Sequence, residues 1–162
     1  MTTQQIEEGN KLIAEFVGAK VTTPYPFNKD LGYETYHFEY PADKDVPTNY
    51  PENRRSHVID GLKYHSSWDW LMPVVEKIEN LTMSGKEEIS SGAIEDVDWS
   101  FAFEIKDKQC MIHRYCSPQF YGEDSDYLKL YDCRNTNKMK SVYYAVVQFI
   151  TWYNQNKTST DK

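Results

Sequence analysis

The sequence predicts an α+β fold, with three helices packed on a small, mainly antiparallel β-sheet. Three observations carry this. Residues 66–81, SSWDWLMPVVEKIENL, join a polar start to an apolar run at helical spacing. Residues 97–105 and 109–116 alternate on either side of a short polar turn, as a hairpin does. Residues 138–154 again carry apolar side chains at helical spacing. Helices on one face of a small antiparallel sheet is the economical way to bury these surfaces.

Residues 3–17 read as the first helix. Ile6, Gly9, Leu12, Ile13, Phe16 and Val17 share a face, and Gly18 follows as a natural stop. Residues 22–30 hold Pro24 and Pro26 and read as a loop. Residues 32–40, GYETYHFEY, are rich in β-formers and predict a strand. Residues 41–55 carry three prolines and little apolar content, which predicts a long irregular loop. Residues 56–64 read as a short strand broken at Asp60-Gly61.

The central helix is expected over 67–81. Ser66 and Asp69 fit a capping box, and Asp69 suits the positive end of the helix dipole. Its apolar residues cover more than half the circumference, so the helix is expected to be covered on two sides. Pro73 lies on the polar arc. A proline in a helix interior costs about 3 kcal/mol, so a bend is expected there.

Residues 82–92, TMSGKEEISSG, read as a loop. In the hairpin, Val97, Trp99, Phe101, Phe103 and Ile105 point inward and Asp98, Ser100, Ala102 and Glu104 outward. Residues 117–137 read mostly as loop, with a third strand over 127–133. The last helix, 138–154, buries Val142, Ala145, Val146, Phe149, Ile150, Trp152 and Tyr153.

At 162 residues the chain is expected to form one domain, 1–156, with a frayed tail at 157–162. The net charge of −7 weighs against general nucleic-acid binding, whose affinity comes mostly from neutralising phosphates. No apolar run approaches a membrane span, and MTTQQIEEGN is too polar for a secretory leader. Three cysteines fit reduced thiols. The expected location is cytoplasmic, with no membrane partner.

YHSSWDWLMPVVEKI at 64–78, AVVQFITWYN at 145–154 and LIAEFVG at 12–18 together resemble a family of small uncharacterised proteins from Bacteroidota and the phages that infect them. The resemblance covers the three helices, about a third of the chain. It implies a bacterial or phage cytosolic protein and carries over no functional residue.

Cys110, His113, Cys116 and Cys133 are the residue types zinc takes. On a continuous strand, however, Cys110 and Cys116 stand about 20 Å apart, and His113 points to the opposite face. No metal and no cofactor is expected. His65, Ser66, Ser67 and Asp69 are the types a hydrolytic site uses, without the sequence context of one. Glu95, Asp96 and Asp98 read as solvated acids. No phosphate-loop, dinucleotide, zincin or calcium-loop motif is present, and no catalytic residue is assigned.

The functional expectation is a ligand site at the start of the central helix. Free backbone N–H groups there attract anions. Lys63, Tyr64, His65, Ser66 and Trp68 surround that start, Arg54 and Arg55 lie upstream, and Arg114 sits in the hairpin. Basic, hydroxyl and aromatic groups together suit a nucleotide-type ligand. The sequence thus predicts a binding or interaction protein that captures such a ligand or, as the resemblance to phage proteins implies, a host protein. The alternative is a small hydrolase or nucleotide-processing enzyme.

Overall fold

The computed structural model describes residues 1–22, 37–39, 56–58, 61–88, 92–116 and 128–157. The expected loop at 41–55, and residues 117–127 of the one at 117–137, lie outside these residues, as does most of the tail. The fold is α+β, with three helices and antiparallel sheets. Contacts divide the chain into two compact units, Met1–Pro73 and Val74–Lys162.

The first unit opens with α1 (Thr3–Phe16). A capping box starts it: Thr2 Oγ1 accepts the Gln5 N–H at 3.2 Å, and Gln5 Oε1 accepts the Thr2 N–H at 2.9 Å. It ends as expected at Gly18, whose φ of 96° needs no Cβ relief. The Gly18 N–H donates to Glu15 and the Ala19 N–H to Ala14, which together satisfy the last carbonyls. The buried face is turned from the expected one: it holds Gly9, Asn10, Ile13 and Ala14.

Three short strands follow: β1 (Lys20–Thr22), β2 (His37–Glu39) and β3 (Ser56–Val58). They form an antiparallel sheet in the order β1-β2-β3, with Val21 opposite Phe38 and Phe38 opposite His57. β2 is the described part of the strand expected at 32–40, and β3 lies within 56–64. β1 was not expected.

α2 (Trp68–Glu79) contains Pro73. Its first helical bond runs from the Leu71 N–H to the Ser67 carbonyl at 3.1 Å. Ser67 therefore holds the capping position, one residue after the Ser66 that the capping-box pattern suggested. Leu71, Val74, Val75 and Ile78 are all essentially buried. Each contributes about 1.5–3 kcal/mol, so their burial outweighs the proline and keeps the helix.

The second unit holds a four-stranded antiparallel sheet, ordered β4-β5-β6-β7, from β4 (Met83–Glu88), β5 (Ile94–Ile105), β6 (Gln109–Cys116) and β7 (Leu128–Arg134). β4 corrects the expectation of a loop at 82–92. Its residues have little β preference of their own. Pairing decides the matter: Met83 stands opposite Trp99, and Gly85 opposite Val97. Gly85 has a further role, because a Cβ there would overlap the six-membered part of the Trp99 ring. Phe103 lies past the end of this pairing, and Glu79 takes its N–H at 3.0 Å.

α3 (Lys138–Asn156) starts on Asn137, whose Oδ1 accepts the Lys140 N–H at 2.9 Å. It lies against β6 and β7. Its expected apolar stripe is buried from Val142 to Ile150, while Trp152 and Tyr153 are half-buried. Phe149 meets Phe101 edge-on, centroids 4.8 Å apart, and Trp152 lies close to both rings. No described helix is long and apolar enough to cross a membrane.

Candidate functional site

Residues 61–70 of the first unit run from a buried leucine through a turn into α2. The Ser66 and Ser67 N–H groups both donate to the Lys63 carbonyl, at 3.0 and 2.8 Å. That turn alternates what it buries. Leu62, Tyr64 and Trp70 go inward, and Tyr64 meets Trp70 edge-on at 5.2 Å. Lys63 and Ser66 are exposed, and His65 and Trp68 are half-buried. Lys63, His65, Ser66 and Trp68 thus reach the surface from one short segment backed by core.

Asn10 of α1 holds this segment. It is almost wholly buried, and its Nδ2 donates to the Leu62 carbonyl at 2.8 Å and to His65 Nδ1 at 3.2 Å. An amide nitrogen only donates, so His65 Nδ1 accepts and its proton sits on Nε2. Burial lowers the His65 pKa, which favours that neutral ring. Asn10 carried no weight in the sequence reading. Its one signal was its place beside Gly9, one turn before Ile13 and Ala14.

Arg54 and Arg55 lie outside the described residues. Arg114 belongs to the second unit, where its guanidinium lies over the Trp99 ring, 4.2 Å from the centroid. Lys63 makes no ion pair among the described residues.

The second unit carries a different polar cluster. His113 Nε2 lies 3.3 Å from one oxygen of Glu104, and Lys106 Nζ lies 2.6 Å from the other. The Lys106 hydrogen bond, helped by His113, holds the Glu104 carboxyl below the usual carboxylate range. Glu95, Asp96 and Asp98 lie within β5, where Asp96 is 4.0 Å from Lys86 and Asp98 accepts from Ser84 at 2.7 Å. Cys110 stands opposite Ile105 and His113 opposite Ala102, so they face opposite sides of the sheet. Among the described residues no three Cys, His, Asp or Glu side chains group to hold a metal.

No family model, curated protein or solved structure matches the chain.

Proposed function

We propose that this chain is a binding protein that captures a small anionic ligand of the nucleotide type at residues 63–68. The observation that supports this reading is the exposed Lys63, without an ion pair among the described residues, on the turn whose Ser66 and Ser67 N–H groups donate to its carbonyl and which leads into α2. A helix start favours negative charge, and exposed Lys63 adds a full positive charge on the turn before it. Half-buried His65 lies between Lys63 and Ser66 in the chain, and half-buried Trp68 offers ring surface for a base. Among the described residues no hydrogen bond pairs a nucleophile with a base at this turn, and the reading is capture without turnover.

Calorimetric titration with nucleoside mono-, di- and triphosphates tests it. Binding is expected, weakened about 10- to 100-fold by Lys63→Ala, the weight of one charge-assisted hydrogen bond. Trp68→Ala should also weaken it, with the circular dichroism spectrum unchanged. Equal affinity in the wild type and both variants would remove the site, and failure of every nucleotide would move the search to a protein partner.

A second reading, a small hydrolase or nucleotide-processing enzyme, draws on the Glu104–His113 pair. A carboxylate that orients an imidazole is the supporting half of many nucleophilic sites, and Ser100 lies on the same sheet face by register. Two facts weigh against it. His113 is buried, and Glu104 is already engaged by Lys106. Product that accumulates with wild type and disappears in His113→Gln would favour this reading over capture.

A further inference from the structure

Cys110 and Cys133 are both buried and both free thiols. They are register partners on β6 and β7. The Asn135 N–H donates to the Lys108 carbonyl at 3.0 Å, so residues 108 and 135 face each other as a hydrogen-bonded pair. Such pairs recur at every second position of an antiparallel ladder. The register is unshifted from Gln109–Arg134 to Ile112–Tyr131, so Cys110 and Cys133 form the next such pair. Their Cα atoms are then about 5.5 Å apart, inside the range of roughly 4.4–6.8 Å that a disulfide spans. Cβ atoms at this kind of position sit near 5.5 Å, whereas a disulfide wants about 3.5–4.5 Å. Closing the bond therefore requires the two Cβ atoms to approach by about 1 Å, through local twisting of β7 and bending of the ladder hydrogen bonds, since the strands are already at hydrogen-bond distance. Among the described residues β7 is the outer strand of its sheet, and no described strand pairs with its other edge to resist that distortion.

We propose that Cys110 and Cys133 are a disulfide-forming pair, oxidised by a low-molecular-weight disulfide of the glutathione type. Cys133 attacks first, since Cys110 is the more deeply buried of the two. Its thiolate takes one sulfur of the reagent, the reagent S–S bond breaks, and one reagent thiol leaves. The Cys110 thiolate then attacks the Cys133 sulfur of that mixed disulfide and expels the second reagent thiol. The protein loses two electrons and two protons, and the reagent gains both. Burial pushes Cys110 up to about 12 and Cys133 up to about 11, so thiolate is scarce and the reaction is slow while the strands stay closed. Cys133 Sγ also donates to Gln148 Oε1 of α3 at 3.1 Å, a bond that oxidation breaks. The wide pair and the lost contact make this a strained disulfide, and strained disulfides are the easily reduced kind.

The test equilibrates the full chain in buffers of reduced and oxidised glutathione, quenches with acid, denatures, alkylates and maps the peptides by mass spectrometry. The expected product is lighter by two hydrogens, carries one Cys110–Cys133 linkage, and reverts as the reduced fraction rises. Cys116→Ser should give the same linkage, and Cys110→Ser should stop at a glutathione adduct on Cys133. Full alkylation of both thiols at the most oxidising ratio would overturn the proposal, as would a linkage to Cys116. Because the first measurement uses the unaltered protein, a variant that fails to fold does not blunt it.

Discussion

His65 takes a hydrogen bond from Asn10 on Nδ1, and the direction of that bond sets how the residue responds to acid. A proton added to Nδ1 would face the amide donor, and part of the ring lies out of water. Both effects oppose the charged form, and burial lowers the His65 pKa. The unfolded chain, with a histidine near its ordinary value of about 6.5, takes up the proton first. Above that value both states are neutral at this residue and stability is flat. As pH falls below it, the unfolded state binds more protons and the native state loses ground, until the folded ring also protonates. Urea unfolding from pH 8 to pH 5 should therefore show a falling midpoint, and His65→Asn should flatten that fall. A slope identical in both proteins would place the pH response on other groups. The site was legible at this scale only in part. Lys63, His65, Ser66 and Trp68 announced themselves by residue type, but Asn10, fifty-two positions from its Leu62 acceptor, belongs to a contact that no local pattern contains.

Elements differ in how far their own residues determine them. α1, α3 and the β5–β6 hairpin carry their period, their caps or their turn within themselves, and the sequence reading places each to within a few residues. β4 does not. Met83–Glu88 contains Ser, Gly, Lys and Glu, which favour loops, and it becomes a strand because β5 offers it a partner and Trp99 lies across Gly85. Propensity loses here to pairing and ring packing. The same contact gives a test. In Gly85→Ala the new methyl would overlap the six-membered part of the indole, and neither a strand backbone nor a ring packed under Arg114 moves freely. Overpacking of this kind costs about 1–3 kcal/mol, read as a lower midpoint in denaturant at unchanged slope. A neutral substitution would mean that Trp99 can leave Gly85, and that the strand owes little to it. An alanine at exposed Ser84, the neighbouring position, should cost far less.

Across the whole molecule the charge balance decides which partners the surface can meet. Eighteen basic residues stand against twenty-five acidic ones, and several described cations are already engaged: Lys11 with Glu15, Lys86 with Asp96, Lys106 with Glu104, and Lys129 and Arg134 with Asp132. Exposed pairs of this sort add little stability, yet each cancels a charge that a phosphate would need. Arg114 lies over Trp99. On the proposed reading Lys63, on the turn before α2, meets the phosphates of a single small molecule. It cannot supply the run of cations that a nucleic-acid backbone requires, where affinity rises with every phosphate neutralised and collapses as salt is added. A gel-shift series with duplex and single-stranded oligonucleotides at low salt should therefore show no retardation, while a nucleoside phosphate still binds under the same conditions. Retardation that fades with salt would reveal a basic surface beyond Lys63, and would turn the reading from a captured small molecule to a nucleic-acid strand.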